Sequence, residues 1–290
     1  MDGLIYAPAV DRLIDLALEE DLGGGDITTE ALIPPQTTGR GVIVAKEKLI
    51  LCGLQVAGRV FRRIDPCIEC ASDFEDGAEA AAGRTVMTLS GRLASLLKAE
   101  RTALNFLQRL SGVATQARAF SAVLAGAKVR LTDTRKTTPG WRTLEKYAVR
   151  IGGAANHRMG LYDGILIKDN HIAACGGIAA AVAQARTRAP HLSKIEVEAA
   201  SLDEVREALA AGADVIMLDN MDLAQIRAAV ALIDKRVPVE VSGGVTLDRL
   251  PELAAAGVDL ISAGALTHSA RAVDLSMRIT GPVRKKKRGG

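Results

Sequence analysis

What this chain lacks narrows its class. Its 290 residues hold only one Trp, three Tyr and four Phe, so it has few aromatic faces on which single-stranded nucleic acid could stack. No stretch approaches the roughly 18 consecutive apolar residues of a membrane span. The start, MDGLIYAPAVDRLIDLALEEDL, carries acids where a signal peptide needs bases and a long apolar run. A soluble cytoplasmic protein is the expectation. The four cysteines, Cys52, Cys67, Cys70 and Cys175, are too few and too unevenly spread for a disulfide framework. Cys67 and Cys70 have CxxC spacing, but no second Cys or His pair follows at metal-ligand distance, so a structural zinc is not expected. A large excess of charge of one sign is missing too. The formal +3 rests on the tail RKKKRGG, and without the five cations Arg284, Lys285, Lys286, Lys287 and Arg288 the remainder is slightly acidic. That tail reads as a solvated, disordered end, with neither nucleic acid nor membrane as a partner.

What is present is apolar and ordered. Hydrophobic residues make up 48% of the chain, enough for one large core or two modest ones. From about residue 128, AKVRLTD, GILIKD, SKIEVEA, ADVIMLD, VPVEVSGG and VDLISAGA recur as short β-rich runs separated by Ala-rich helical stretches. In SLDEVREALAAGA, Ser201 is the expected N-cap with Glu204 three residues on, and Gly212 ends the helix. TLDRLPELAAAGV repeats the plan with Thr246 as cap and Gly257 as stop. Alternating β and α with short connections implies parallel strands, hence a barrel or a doubly wound sheet.

Residues 1–110 differ and are expected to form a separate lobe. An opening helix (Ala9 to Glu20) leads to the turn DLGGGDITT, then to strands around GRGVIVAKEKLILCG and GRTVMTLSG, and to a long helix from about Leu93. Residues 111–270 would be the catalytic α/β domain. Residues 271–290 would supply a C-terminal helix returning to the first lobe, followed by the basic tail.

The polar residues of the repeating part are not scattered. Asp133, Arg135 and Lys136, then Lys168, Glu198, Asp219, Ser242 and Gly264 stand at or just past the C-terminal ends of the expected strands, where barrel enzymes build their sites. The stretch NHRMGLYDGILIKDNH is the sharpest case, with His157 and Arg158 before the buried run and Lys168 and His171 after it. Four permanent cations and an imidazole that converge at one mouth call for a polyanionic ligand. Glu196 and Glu198 share one strand face. With Asp219 they have three outcomes open: a salt bridge to Lys136 or Lys168, a divalent metal held through phosphates, or hydrogen bonds to sugar hydroxyls. The small-residue loops SGG (Ser242 to Gly244) and AGALTHS (Ala263 to Ser269) offer amides to a phosphate.

Taken together, ERTALNFLQRLSGVAT, DTRKTTPG, EKYAV, NHRMGLYDGILIKDNH, IMLDN, EVSGG and GALTHS resemble the quinolinate phosphoribosyltransferase family, from Leu13 to near Met277. The resemblance implies an open α/β sandwich lobe and an incomplete, seven-stranded α/β barrel, a type II phosphoribosyltransferase fold. It implies a homodimer with shared active sites and leaves open whether dimers pair into hexamers. Carried over by position, Arg101, Arg135, His157, Arg158 and Lys168 would bind quinolinate, with Arg101 coming from the other subunit. Lys136, Glu198, Asp219, Ser242, Gly243, Gly264 and His268 would hold phosphoribosyl pyrophosphate. Magnesium (Mg2+) would be held mainly through the pyrophosphate, with Glu198 and Asp219 as candidate ligands, and Lys136, Glu198 and Asp219 would be catalytic. The rival readings are a lyase that uses Lys168 as a Schiff-base amine, a paralogue associated with molybdenum uptake, and a non-catalytic anion-binding protein.

Overall fold

The computed structural model describes residues 8–282; the basic tail Arg284 to Arg288 lies outside them. The chain's internal contacts fall into two units. One takes the residues up to 116, residues 143–152 and the residues from 270 on, and the other takes residues 117–142 and 153–269.

The first unit is built on strands β1 (Thr38–Ala45), β2 (Leu49–Ile50), β3 (Glu69–Ala71), β4 (Glu79–Ala80) and β5 (Thr85–Arg92). Along β1 buried and exposed residues alternate before the run ends in the buried Ile43, Val44 and Ala45, the pattern of a half-covered antiparallel strand. β1 pairs on one side with β5 and on the other with the last strand, Leu275–Pro282, and β3 completes the sheet beside β5. The segment expected as a C-terminal helix is therefore a strand. Leu275 and Met277 are buried while Ser276 between them and Arg278 after them are more exposed, a period of two, and Gly281 and Pro282 follow where a helix would have to continue. Helix Leu54–Ile64 buries Leu54, Val56, Ala57, Val60 and Phe61. Its first amides are held by the Asp76 carboxylate, which accepts from Gly53 N and Leu54 N and from the Tyr147 hydroxyl. Helix Arg142–Ile151 belongs to this unit from Thr143 on. Its Glu145 is fully buried with Arg109 Nη2 at 2.7 Å from Oε1, so the buried charge is paired.

The second unit is the repeating part, and each expected strand is there: β6 (Arg130–Thr132), β7 (Ile165–Ile167), β8 (Ile195–Ala199), β9 (Val215–Asp219), β10 (Val239–Ser242) and β11 (Leu260–Ser262). All pair in parallel, in the order β6-β11-β10-β9-β8-β7. The seventh position is a single parallel bridge from Ala155 to Thr132. The stretch Gly152 to Ala155 has only small side chains with little to pack on a pleated surface, which explains why this strand shrinks to one bridge. β7 and the Ala155 segment are the two ends of the order, so the α/β barrel stays incomplete.

Helix Leu202–Ala210 follows its sequence signals closely. Ser201 accepts from Glu204 N at 3.2 Å, the Glu204 carboxylate accepts from Ala200 N, and Gly212 adopts φ +79° past the end. The Thr246 repeat departs from plan. Thr246 makes no capping bond, and a short 3-10 turn, Leu247–Arg249, precedes helix Leu250–Ala255, with Pro251 fixing the start of the α-helical part.

Candidate active site

Parallel strands bring all their C-terminal ends to one side, and there the second unit holds a cleft of about 760 Å³. Arg135, Lys136, His157, Arg158, Lys168, Glu198, Asp219, Ser242, Gly243, Gly264 and His268 all line it. Arg101 is an exposed residue of the helix Leu93–Val123 in the first unit and is not among the lining residues. A second cleft, of about 900 Å³, opens where the strands begin and contains none of the candidate residues.

The cations are held by the loops that carry them. Lys136 N donates to the Thr134 hydroxyl, and Lys136 O accepts from Thr267 Oγ1 at 2.7 Å, which ties the β6 loop to the loop after β11. Gly264 lies between them: a Cβ there would come within 3.0 Å of Lys136 Cδ and of the His268 ring. Arg158 Nη1 donates to Gly164 O at 2.9 Å. Arg135 Nε is buried and makes no hydrogen bond. Burial, and then the nearby charge of Arg135, pull the Arg158 guanidinium below its usual range. Two guanidinium groups this close disfavour one another until an anion lies between them.

The carboxylates answer the question left by the sequence. Lys168 Nζ lies 2.7 Å from Glu198 Oε2, so the salt bridge is formed with Lys168. Burial raises Glu198 above the usual carboxylate range, Lys168 partly offsets this, and Asp219 adds to it. Asp219 accepts from Asn220 Nδ2 at 2.7 Å. Asn220 itself sits at φ +53°, and Gly243 opposite it at φ +90°, where any Cβ would collide with Asn220 Oδ1. Glu198 and Asp219 stand on neighbouring strands and present hard oxygen donors of the kind magnesium takes.

One layer deeper lies a group that the sequence reading only half found. His157 Nε2 is 3.2 Å from Glu196 Oε2 and 3.5 Å from Glu240 Oε1. Asp133, fully buried, accepts from Asn156 Nδ2 and from His157 N and so fixes this segment. Glu240 escaped notice, although the alternation that places Glu196 beneath Glu198 also places Glu240 beneath Ser242. Burial, followed by the charge of Glu196, pushes the Glu240 carboxyl up to about 7.

The sequence profiles of both domains of quinolinate phosphoribosyl transferase match this chain, the N-terminal domain over residues 26–111 and the C-terminal domain over residues 113–278. The chain belongs to the quinolinate phosphoribosyltransferase family. It is 45% identical to the probable nicotinate-nucleotide pyrophosphorylase [carboxylating] of Bacillus subtilis, over 93% of each chain. Among solved structures, NadC from Streptococcus pyogenes aligns with a TM-score of 0.89 at 42% identity, over 96% of each chain. The nicotinate-nucleotide pyrophosphorylase from Francisella tularensis aligns with the same TM-score at 40% identity, over 93% of this chain and 96% of the other. Family members are thus similar to this chain across both units and across the stretches that carry the cleft.

Proposed function

We propose that this chain transfers the phosphoribosyl group of 5-phosphoribosyl 1-pyrophosphate to quinolinate and decarboxylates the product. The products are nicotinate mononucleotide, pyrophosphate and carbon dioxide, in a step of de novo NAD biosynthesis. The observation that carries this reading is the cationic wall of the cleft: Arg135 with its buried, unpartnered Nε, Arg158 beside it, and Lys168 at the end of β7. A planar dicarboxylate supplies two acceptors that two guanidinium forks and an ammonium can pair. Family membership agrees with it.

The chemistry follows from where charge develops. The C1–O bond of the ribose breaks with its electron pair leaving on pyrophosphate, and an oxocarbenium-like centre develops at C1. Glu198 and Asp219 supply negative charge for that centre, and Lys136 supplies positive charge for the leaving group. The pyridine nitrogen attacks C1. The ring is then cationic and stabilises the carbanion left when the adjacent carboxylate departs as carbon dioxide, and a proton from solvent completes the product. The small loops at Ser242 and Gly243 and at Gly264 and His268 take the phosphate end. Magnesium fits the oxygen donors of Glu198 and Asp219, and when bound it neutralises charge on the pyrophosphate.

The Schiff-base alternative finds no support at Lys168, whose ammonium is ion-paired with Glu198 and does not offer the lone pair that an imine needs. Our reading includes a homodimer in which Arg101 reaches the partner's cleft, and a cytoplasmic location. Among the described residues no helix is long and apolar enough to cross a membrane. Incubation with quinolinate, phosphoribosyl pyrophosphate and magnesium should yield nicotinate mononucleotide, and borohydride should trap no adduct on Lys168. A trapped adduct without nucleotide product would overturn the assignment.

A further inference from the structure

The layer beneath the cleft carries an inference of its own. Glu196 and Glu240 project from β8 and β10 and face the His157 ring, with one donor atom from each of the three residues within 4.8 Å of the others. The Glu240 side chain is only 3% exposed, and Glu240 Oε1 and Glu196 Oε1 are both buried without a hydrogen-bond partner of ordinary geometry. Two buried carboxylates at this separation cannot both stay charged without a counter-charge. The Arg158 guanidinium offsets part of the Glu196 charge, and three devices would relieve the remainder at Glu240: a metal ion, a proton on the imidazole, or a proton on one carboxyl.

The other edge of the ring decides among these. Arg158 N donates to His157 Nδ1 at 2.7 Å, so Nδ1 carries a lone pair and no proton. An imidazolium could not accept that bond. A metal on Nε2 would need a lone pair there as well, which would leave the ring as an imidazolate. The arrangement that satisfies both edges is the neutral ring with its proton on Nε2, pointing at the carboxyl pair.

We propose that His157 is a neutral positioning residue, locked in its Nε2–H tautomer by the buried carboxyls of Glu196 and Glu240, and that it serves recognition by holding Arg158 in place. The relieving proton then resides on Glu240, the more deeply buried carboxyl, whose neighbours are Glu196 on β8, His157 and Ser262 on β11. His157 does not present a cation to the ligand. It anchors the backbone of Arg158, whose guanidinium is steadied in turn by Gly164 O. This assignment deepens the quinolinate reading above and rests on it for the identity of the ligand.

The chain has four histidines, which makes nitrogen-15 NMR of histidine-labelled protein tractable. In the parent protein, without any turnover, His157 should show a neutral Nε2–H ring at about pH 6, where a free imidazole is largely protonated, unchanged by quinolinate and by zinc. A protonated ring, an Nδ1–H tautomer, or loss of the Nε2 proton on adding zinc would overturn the proposal, the last in favour of a metal site. Kinetics supplies an independent arm. Glu240→Ala should raise the quinolinate KM about tenfold, the worth of roughly one hydrogen bond, with a smaller change in kcat. Glu240→Gln imitates the protonated carboxyl, with an oxygen for His157 and an N–H for Glu196, and should recover most of that loss together with the tautomer. If Glu240→Gln is as impaired as Glu240→Ala, Glu240 works as an anion and the proposal fails. If quinolinate is not consumed at all, the functional reading fails, while the NMR result on the parent protein still decides the tautomer.

Discussion

Glu196 and Glu198 lie two residues apart on β8, point to the same side, and meet opposite fates. Glu198, at the strand's end, has a permanent cation 2.7 Å away in Lys168 and opens onto the cleft. Glu196, one layer down, faces an imidazole and a second carboxyl and feels the Arg158 guanidinium only through its charge, with no ion-pair contact to it among the described residues. The upper carboxylate is balanced by charge on a neighbouring strand, and the lower one by a shared proton. Depth explains the difference. At the mouth, charge remains solvated enough to be kept and used; a layer below, desolvation makes a proton the cheaper neutraliser.

Breaking the upper pair should have the largest effect. Lys168→Ala strands a half-buried Glu198 and removes a cation from the wall, and kcat/KM for quinolinate should fall by about a thousandfold. Steady-state kinetics with both substrates varied checks this, and a loss below about tenfold would show that the pair is ornamental.

The lower pair should appear in stability. A carboxyl raised to about 7 in the folded protein favours the protonated form, so its contribution is full below the ordinary carboxylate range and is lost as pH rises through about 7. Across that window the parent should lose up to about 3 kcal/mol of stability that Glu240→Gln does not lose. Denaturant melts of the two proteins at a series of pH values check the sign; parallel curves would contradict the protonated carboxyl.

Next comes recognition at the wall between the two layers. Arg158→Lys keeps the charge and loses the fork, and it should raise the quinolinate KM about ten- to a hundredfold. Nicotinate, which lacks the carboxylate beside the ring nitrogen, should be a poor substrate for the parent because it leaves cations unpaired. Smaller still is the effect of Lys136→Ala, which should weaken phosphoribosyl pyrophosphate by about tenfold and spare quinolinate; equal losses for both ligands would misplace Lys136.

Much of this was legible in the sequence because two local rules operate without tertiary information. Short β-rich runs marked β6 to β11, and the parallel order then obliged Lys168, Glu198, Asp219 and Ser242 to share one edge. The Ser201 cap and the Gly212 stop were likewise written locally. What failed did so where partners decide. Leu275 to Thr280 alternates apolar and polar, a strand signal too short to be decisive alone, and the segment becomes a strand because β1 offers an edge. The bridge at Ala155 is set by Thr132, not by its own side chains. Glu240 was passed over because VPVEVSGG reads as a buried run, and only the approach of His157 across the sheet gives that carboxyl a role.

Carbon dioxide release from quinolinate tests the central claim most directly. With quinolinate labelled in the carboxylate next to the ring nitrogen, the account expects label to appear as carbon dioxide in step with nicotinate mononucleotide, one for one. It expects release only when phosphoribosyl pyrophosphate and magnesium are both present. Release without phosphoribosyl pyrophosphate, or nucleotide formed with the label retained, would contradict it.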